Sequence, residues 1–187
     1  MLNRLSERYN LSMQSMTTDL ELSALAGEWL RKRGLKLVTA ESCTGGLIGD
    51  WITDVPGSSD YYLGGVVAYS YEAKTALLGV PEGLLAQFGA VSEETVREMA
   101  RGARTMLGGV FPAEQVVALS VSGIAGPGGG LPSKPVGLVW IGLNGPGLER
   151  AYRFIFETHR IQNKQQFARE ALLLLVDYLQ GNPRGDE

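Results

Sequence analysis

Residues 35–52 read LKLVTAESCTGGLIGDWI, and the order of residue types in this stretch predicts the fold class. Residues 35–39 have the length and apolar content of a short buried strand. The small residues of AESCTGG come next. Apolar side chains then return at the spacing of one helix face, at Leu47, Ile48, Trp51 and Ile52. A buried strand, a tight turn and a helix in this order are typical of α/β proteins.

The sequence on both sides of this stretch continues the alternation of helices and strands. Thr18 and Glu21 have the spacing of a capping box, and the helix that they begin is expected to end at Gly34. The NGPG segment is typical of a hairpin connection. Further strands are predicted over residues 62–69, 116–121, 137–143 and 151–156, and further helices over residues 71–78 and 92–107 and across the apolar pattern from Phe167 to Leu179. We therefore expect a mixed sheet of about five strands with helices on both faces.

The length of 187 residues fits one domain with a sizeable core. Residues 1–16 show no steady periodicity and are expected to form a loose tail. Residues 17–180 are predicted to form the single folded domain, and residues 181–187 a polar C-terminal tail. There is neither an internal repeat nor a linker long enough to divide the domain.

Composition and charge exclude several classes of function. The net charge is −3 and no run of basic residues occurs, so neither nucleic acid nor an acidic membrane surface is an expected partner. No apolar stretch reaches transmembrane length, and the N-terminus has no signal-peptide core. We expect a cytoplasmic protein.

The counts of cysteine and histidine narrow the chemistry further. Cys43 is the single cysteine, so a disulfide within the chain and a zinc cysteine cluster are both excluded. His159 is the single histidine, and any Ser-His-Asp triad would have to use it. If the protein is a hydrolase, its general base is therefore expected to be another residue type.

Ligands of open α/β sheets bind beyond the carboxyl ends of strands, which draws attention to the loop at residues 41–46. Small residues at a helix start leave main-chain N–H groups free to bind an anion such as phosphate. The alternative is a capped turn with Ser42 or Thr44 as the cap, and the spacing alone favours it. The loop is neither a Walker loop nor a GxGxxG fingerprint.

A second loop, SGIAGPGGG at residues 122–130, has the glycine content expected where backbone approaches a ligand. The alternative is a flexible surface connection. Ile124 and Ala125 are apolar, and predicted strands lie on both sides of the loop, so we favour the wall of a pocket.

A third candidate combines Ser58 and Ser59 with Lys74 and Tyr69. A serine attacks a carbonyl only if a base removes its proton, and a lysine desolvated by apolar walls can be that base. The alternative is a serine that caps a turn, a packed tyrosine and a solvated lysine, and spacing alone favours this alternative. Cys43 with Glu41 and Lys74 would be a different amidase arrangement, whereas a small buried thiol is the commoner role of a free cysteine.

Four stretches of the chain carry recognisable motifs. They are TAESCTGG at 39–46, a stretch at 56–80 with PGSS, GG.V.YS, Lys74 and LLGV, GAVSEETVREMA at 89–100, and SGIAGPGGGLPSKPVGLVWIGL at 122–143. In this order they resemble the CinA C-terminal domain family, whose stand-alone members are nicotinamide-nucleotide amidases. The resemblance covers residues 20–180. Full-length members carry an additional N-terminal domain that resembles molybdopterin-binding proteins, and we expect only the amidase half here.

The resemblance implies a three-layer α/β/α sandwich around a mixed, mostly parallel sheet of about five strands, often in a homodimer. The implied reaction is hydrolysis of the carboxamide of nicotinamide mononucleotide to nicotinic acid mononucleotide and ammonia, without a metal or cofactor. Aligning the motifs gives Ser59 as the nucleophile, Lys74 as the base and Tyr69 as the residue that orients it. Ser59 and Lys74 must therefore lie within reach of one another. Our candidates for substrate binding are Glu41, Ser42, Thr44, Gly45, Gly46, Gly123, Ala125, Gly126 and Arg160.

The segment before the last helix departs from the family pattern. Members usually have Gly-Asp-Arg there and a second arginine further on, whereas this chain has Thr158-His159-Arg160 and then Lys164. Lysine cannot bind a phosphate in the two-pronged manner of arginine, so the departure bears on substrate affinity. Ser122 stands where the family often has threonine. The altered segment also motivates the alternative of a non-catalytic module that binds a mononucleotide or a partner protein.

Overall fold

The computed structural model describes residues 18–184, and the predicted tail at residues 1–16 lies outside this range. Short 3-10 turns occupy Ser58–Asp60 and Ala113–Gln115. The helices and strands, in chain order, are α1 Asp19–Arg33, β1 Lys36–Glu41, α2 Leu47–Thr53, β2 Tyr62–Val67, α3 Tyr71–Leu78, α4 Glu82–Phe88, α5 Glu93–Gly108, β3 Val116–Gly123, β4 Leu138–Gly145, β5 Leu148–Ile155 and α6 Arg160–Leu179.

The five strands form one mixed sheet in the order β2-β1-β3-β4-β5. Strand β1 pairs in parallel with β2 and β3, and β4 runs antiparallel to both of its neighbours, β3 and β5. Four of the five strands therefore point the same way. The predicted mixed, mostly parallel sheet is confirmed.

Helices cover both faces of the sheet, as expected for the three-layer sandwich. Alternate residues of β1 face opposite layers: Leu37 packs with α1, α2 and α6, whereas Val38 packs with α3, α4 and α5. Strand β3 repeats this alternation, with Val117 on the first face and Ala118 on the second. This period of two, in strands buried on both faces, accounts for their nearly continuous apolar sequence.

Local sequence signals set the ends of several helices. Thr18 and Glu21 form both hydrogen bonds of the predicted capping box, and Gly34 ends α1 in a left-handed conformation, with φ of 64°. Ser70 begins α3 by accepting a hydrogen bond from the main-chain N–H of Ala73. Helix α3 has the predicted bounds because its cap and its final glycine are both encoded locally.

One feature differs from the expectation. The segment after Pro81 forms the short helix α4, which the sequence patterns did not predict because its seven residues are too few to show a helical period. Of the predicted polar tail, the structure describes residues 181–184. The main-chain carbonyl of Arg184 accepts a hydrogen bond from Arg150, and its guanidinium binds Asp177 and Glu170. Among residues 18–184, no helix is both long and apolar enough to cross a membrane.

Candidate active site

Lys74 lies on the buried face of α3, and its side chain is fully enclosed by protein. Its Nζ lies 2.9 Å from Ser42 Oγ, 2.8 Å from the carbonyl oxygen of Ala68 and 3.4 Å from that of Tyr69. No carboxylate is among these acceptors, all of which are uncharged. These contacts therefore accept hydrogen bonds from the amine, but none of them places a negative charge beside it.

Burial lowers the pKa of Lys74 from 10.5 to about 8, because desolvation disfavours the ammonium form. A negative charge on Cys43 would oppose this shift, but it is the weaker influence. A lysine with this pKa is neutral in about a tenth of the molecules at pH 7. The amine can therefore accept a proton near neutral pH, as a general base must.

Ser42 is the first residue after β1, at the carboxyl edge of the sheet. Its main-chain N–H donates to the carbonyl of Val121 on β3, and Ala68, the first residue after β2, donates its N–H to the carbonyl of Glu41. The ends of three neighbouring strands therefore meet at Ser42. This pairing presents the Ser42 hydroxyl to the buried amine of Lys74.

The predicted contact between Ser59 and Lys74 is wrong. Ser59 lies in the exposed 3-10 turn before the amino end of β2, whereas Lys74 Nζ binds the carbonyl of Ala68 just past the carboxyl end of that strand. A strand of six residues separates the two positions by roughly 20 Å. The serine beside Lys74 is Ser42, which sequence reasoning had assigned to substrate binding.

Tyr69 is exposed, and its hydroxyl accepts a hydrogen bond of 3.2 Å from Nη2 of Arg160. The expected role of this hydroxyl in orienting Lys74 is not seen, because the main-chain carbonyl of Tyr69 makes that contact instead. Nη1 of Arg160 donates to the carbonyl of Gly126 at 2.7 Å. Arg160 thus connects the end of β2 with the glycine-rich loop.

An open cleft of about 240 Å³ lies between these groups. It brings together Ser42, Tyr69, Gly123, Ala125, Gly126 and Arg160 from the predicted set. Its remaining lining residues are Cys43, Ala90, Val91, Ser122, Ile124, Gly128 and Gly129. The predicted pocket wall at residues 122–130 is therefore one side of this cleft.

The loop at residues 41–46 is neither a free anion site nor a turn capped by Ser42 or Thr44. The N-cap of α2 is Gly46, which has no side-chain cap hydrogen bond. Glu41 is buried, and its carboxylate accepts the main-chain N–H groups of Gly46, Ile48 and Gly49 as well as the hydroxyl of Thr44. The first turn of α2 is thus already bound to an anion supplied by the chain itself. Within the described residues, Glu41, Thr44, Gly45 and Gly46 are not part of the cleft lining.

Cys43 is buried, and desolvation raises its pKa from 9.0 to about 12. The thiolate, which is the nucleophilic form, is therefore scarce at neutral pH. The structure favours the reading of Cys43 as a small buried thiol rather than as a nucleophile.

The glycine-rich loop approaches its neighbours too closely for larger residues at some positions. Gly126 has φ of 88°, and a Cβ there would lie 2.6 Å from a methyl group of Val136. Ser122 anchors the beginning of the loop by donating its hydroxyl to the carbonyl of Ala90 at 2.7 Å. The loop is therefore anchored at Ser122 and closely packed at Gly126.

Sequence reasoning missed Asn163, which ties the glycine-rich loop to the start of α6. Its side chain is fully buried, donates to the carbonyls of Ala125 and Thr158, and accepts the hydroxyl of Thr158. The sequence carries no signal for this role, because residues 160–166 read RIQNKQQ and Asn163 is one polar residue among several. Lys164 follows one position later, and its Nζ lies 3.7 Å from the position that a Cβ on Gly45 would occupy.

The fold and the site together define an α/β protein with a serine and a buried lysine paired at the carboxyl edge of a mixed sheet. The model of the CinA C-terminal domain family matches residues 19–179. The chain therefore belongs to the CinA C-terminal domain family, as the sequence motifs predicted.

Individual relatives agree with this membership. A "CinA-like protein" of Chloroherpeton thalassium is 47% identical over 167 residues, which is 87% of this chain and 38% of the relative. A "Putative competence-damage inducible protein" of Symbiobacterium thermophilum is 56% identical over 126 residues, or 67% of this chain and 28% of the relative. The chain thus spans less than two fifths of the length of these curated relatives.

Solved structures share the fold. A CinA superfamily protein from Klebsiella pneumoniae superposes with a TM-score of 0.81 at 35% identity, covering 88% of this chain and 99% of that one. A competence/damage inducible protein from Agrobacterium tumefaciens gives a TM-score of 0.73 at 36% identity, covering 88% and 97%.

Proposed function

We propose that this protein is an amidohydrolase that cleaves the carboxamide of nicotinamide mononucleotide, giving nicotinic acid mononucleotide and ammonia. Ser42 is the nucleophile and Lys74 is its base. The observation that carries the proposal is the 2.9 Å separation of Ser42 Oγ from the buried Nζ of Lys74 at the edge of the cleft. Membership of the CinA C-terminal domain family supports the choice of substrate.

The acceptors around Lys74 fit the neutral amine that the reaction needs. A neutral amine has two hydrogen atoms, which can be donated to the carbonyls of Ala68 and Tyr69. Its lone pair is then left for the hydroxyl hydrogen of Ser42. The two carbonyls thus orient the lysine to remove that proton, and they remain unchanged during the reaction.

Acylation begins when Lys74 takes the proton of Ser42 and Oγ attacks the carboxamide carbon. The resulting tetrahedral intermediate collapses as the C–N bond breaks. Lys74 returns the proton to the leaving nitrogen, which departs as ammonia. The product of this half-reaction is an ester between Ser42 and the pyridine carboxyl group.

Deacylation repeats these steps with water. Lys74 removes a proton from a water molecule that attacks the ester carbon, and it then returns a proton to Ser42 Oγ as the ester bond breaks. The products are nicotinic acid mononucleotide and the free enzyme. Neither half-reaction uses the thiol of Cys43.

Arg160 is the proposed partner of the substrate phosphate. Its guanidinium lines the cleft and is exposed, so it can bind a doubly charged anion as well as its present neutral acceptors. Lys164 lies one helical turn further along α6 and adds positive charge on the side of Gly45. As a single point charge, it substitutes only in part for a second arginine.

The test is release of ammonia from nicotinamide mononucleotide by the wild type and by three serine or cysteine variants. Ser42→Ala is expected to lower kcat by about a thousandfold or more, because the nucleophile is lost. Ser59→Ala and Cys43→Ala, the matched controls, are expected to stay within about threefold of the wild type.

Other outcomes separate the alternatives. Loss of activity in Ser59→Ala with full activity in Ser42→Ala would identify Ser59 as the nucleophile. Loss in Cys43→Ala alone would support the thiol. Tight binding of the mononucleotide by a wild type that releases no ammonia would favour the non-catalytic module.

A further inference from the structure

Glu41 is a buried ionisable group that the proposed reaction does not use. Only 2% of its surface is exposed, yet all of its hydrogen-bond partners are donors. Its Oε2 accepts from Thr44 Oγ1 at 2.7 Å and from the main-chain nitrogens of Gly46 and Ile48 at 2.9 and 3.1 Å. Its Oε1 accepts from the main-chain nitrogen of Gly49 at 2.9 Å. An environment made only of donors suits a carboxylate, whose two oxygens both accept hydrogen bonds. It does not suit an amide, because the amide NH2 group would face donors.

These four bonds connect the two ends of the turn that carries Ser42. Glu41 is the last residue of β1, and Gly46, Ile48 and Gly49 belong to the start of α2. Inside the turn, the main-chain N–H of Gly45 donates to the carbonyl of Ser42 at 3.1 Å, and Gly46 has φ of 100°. The carboxylate therefore sets how far apart the strand and the helix stand, and the position of Ser42 depends on that distance.

We propose that Glu41 is a positioning residue of the site: its buried carboxylate gathers the turn after β1 and so holds the Ser42 hydroxyl on the Lys74 amine. The inference rests on the proposed function, because it concerns the reactivity of Ser42. Glu41 acts through Ser42, since its own oxygens face the turn and the cleft is lined by other residues.

The effect expected from removing the carboxylate follows from its geometry. In Glu41→Gln, the amide nitrogen would face either the N–H of Gly49 or the three donors at Oε2, so at least one donor loses its partner. The turn is then expected to shift. A displacement of about 1 Å at a reacting group can cost about a hundredfold in rate. We therefore expect the reactivity of Ser42 to fall while binding at Arg160 is preserved.

The experiment measures two quantities in the full chain. One is the second-order rate constant with which a fluorophosphonate probe labels Ser42, and the other is kcat and KM for nicotinamide mononucleotide. Glu41→Gln is expected to lower the labelling rate constant and kcat by about tenfold or more, with KM within about threefold. Glu28→Gln, which removes an exposed carboxylate from α1, is the matched control and is expected to leave all three values unchanged.

A purely structural role for Glu41 predicts a different result. Loss of folded protein would reduce the amount of Ser42 that is labelled, but it would leave the rate constant of the remaining folded molecules unchanged. A labelling rate constant that falls by less than about tenfold in Glu41→Gln overturns the inference. The labelling measurement thus distinguishes positioning from stability.

If Glu41→Gln yields no folded protein, Thr44→Val decides the question. This variant removes one of the four donors, keeps the three main-chain donors and is close to the same size. A fall of about threefold or more in the labelling rate constant supports the inference, and a smaller change overturns it. A wild type that labels at Ser42 but releases no ammonia would contradict only the proposed substrate. A wild type that neither labels at Ser42 nor releases ammonia would contradict both the proposed function and the role of Glu41.

Discussion

Lys74 illustrates how a residue's environment decides its chemistry. On a solvated helix face its ammonium would hold its proton at neutral pH, whereas here burial lowers the pKa to about 8. This shift is what allows the amine beside Ser42 to serve as the proposed base. Ser59, in an exposed turn, has no such partner among the described hydrogen bonds.

The lowered pKa of Lys74 predicts the pH dependence of the reaction. Because the base must be neutral, kcat/KM is expected to rise about tenfold for each pH unit below 8 and to level off above about 8. The profile is measured from ammonia release by the wild type between pH 6 and pH 10. Activity that falls as the pH rises from about 6 to about 8 would contradict a lysine base.

At the scale of the element, α5 determines where α3 and its lysine stand. Gly102 of α5 packs directly on the end of α3: a Cβ there would lie 1.9 Å from the carbonyl oxygen of Leu78. Leu78 is one helical turn beyond Lys74, and both are buried. A side chain larger than hydrogen at Gly102 must therefore push the end of α3 away from α5.

Gly102→Ala is predicted to lower the free energy of unfolding by about 1–3 kcal/mol, because overpacking a rigid contact forces the backbone to move. Activity is expected to fall with it, since Lys74 moves with α3. Urea denaturation and the ammonia assay measure the two effects. Gly83→Ala in α4 is the control: beyond its own helix backbone, a Cβ at Gly83 would meet no atom within 4 Å, and alanine favours a helix by about 1 kcal/mol over glycine. Equal stabilities of the two variants would contradict the packing argument.

The start of α6 is the second element that shapes the cleft. Asn163 fixes the helix to the glycine-rich loop, and Arg160 projects from the same turn to Tyr69 and the carbonyl of Gly126. The main-chain N–H groups at the start of α2 are already bound to Glu41. An anion in the cleft would therefore be bound by a side chain at the start of α6, such as Arg160.

Arg160→Met is predicted to raise KM for nicotinamide mononucleotide by about tenfold or more, because a charge-assisted hydrogen bond to phosphate is lost. The riboside, which lacks the phosphate, is expected to be hydrolysed equally by the variant and the wild type. Steady-state kinetics on both substrates measure the difference. Arg153→Met, at an exposed position on β5, is the matched control. An equal change for both substrates would show that Arg160 supports the site without recognising phosphate.

At the scale of the whole molecule, the order of elements and the mixed sheet followed from the sequence. Capping residues, final glycines and apolar periods are local signals, and they predicted α3 with its observed bounds. Helix α4 was too short to show a period. The homodimer that the family resemblance implies and the cytoplasmic location expected from the composition both stay predictions.

The amino-acid sequence by itself determined the fold class and the family, and its single histidine led us to expect that a hydrolase with this sequence would use another residue type, such as lysine, as its base. Only the tertiary structure decided which serine meets that lysine. Ser59 is 15 positions from Lys74 in the sequence and Ser42 is 32 positions away, yet Ser42 is the partner. The reason is the parallel pairing of β1 with β2. This pairing brings the carboxyl ends of the two strands together, near Ser42 and Lys74, and leaves Ser59 beside the amino end of β2.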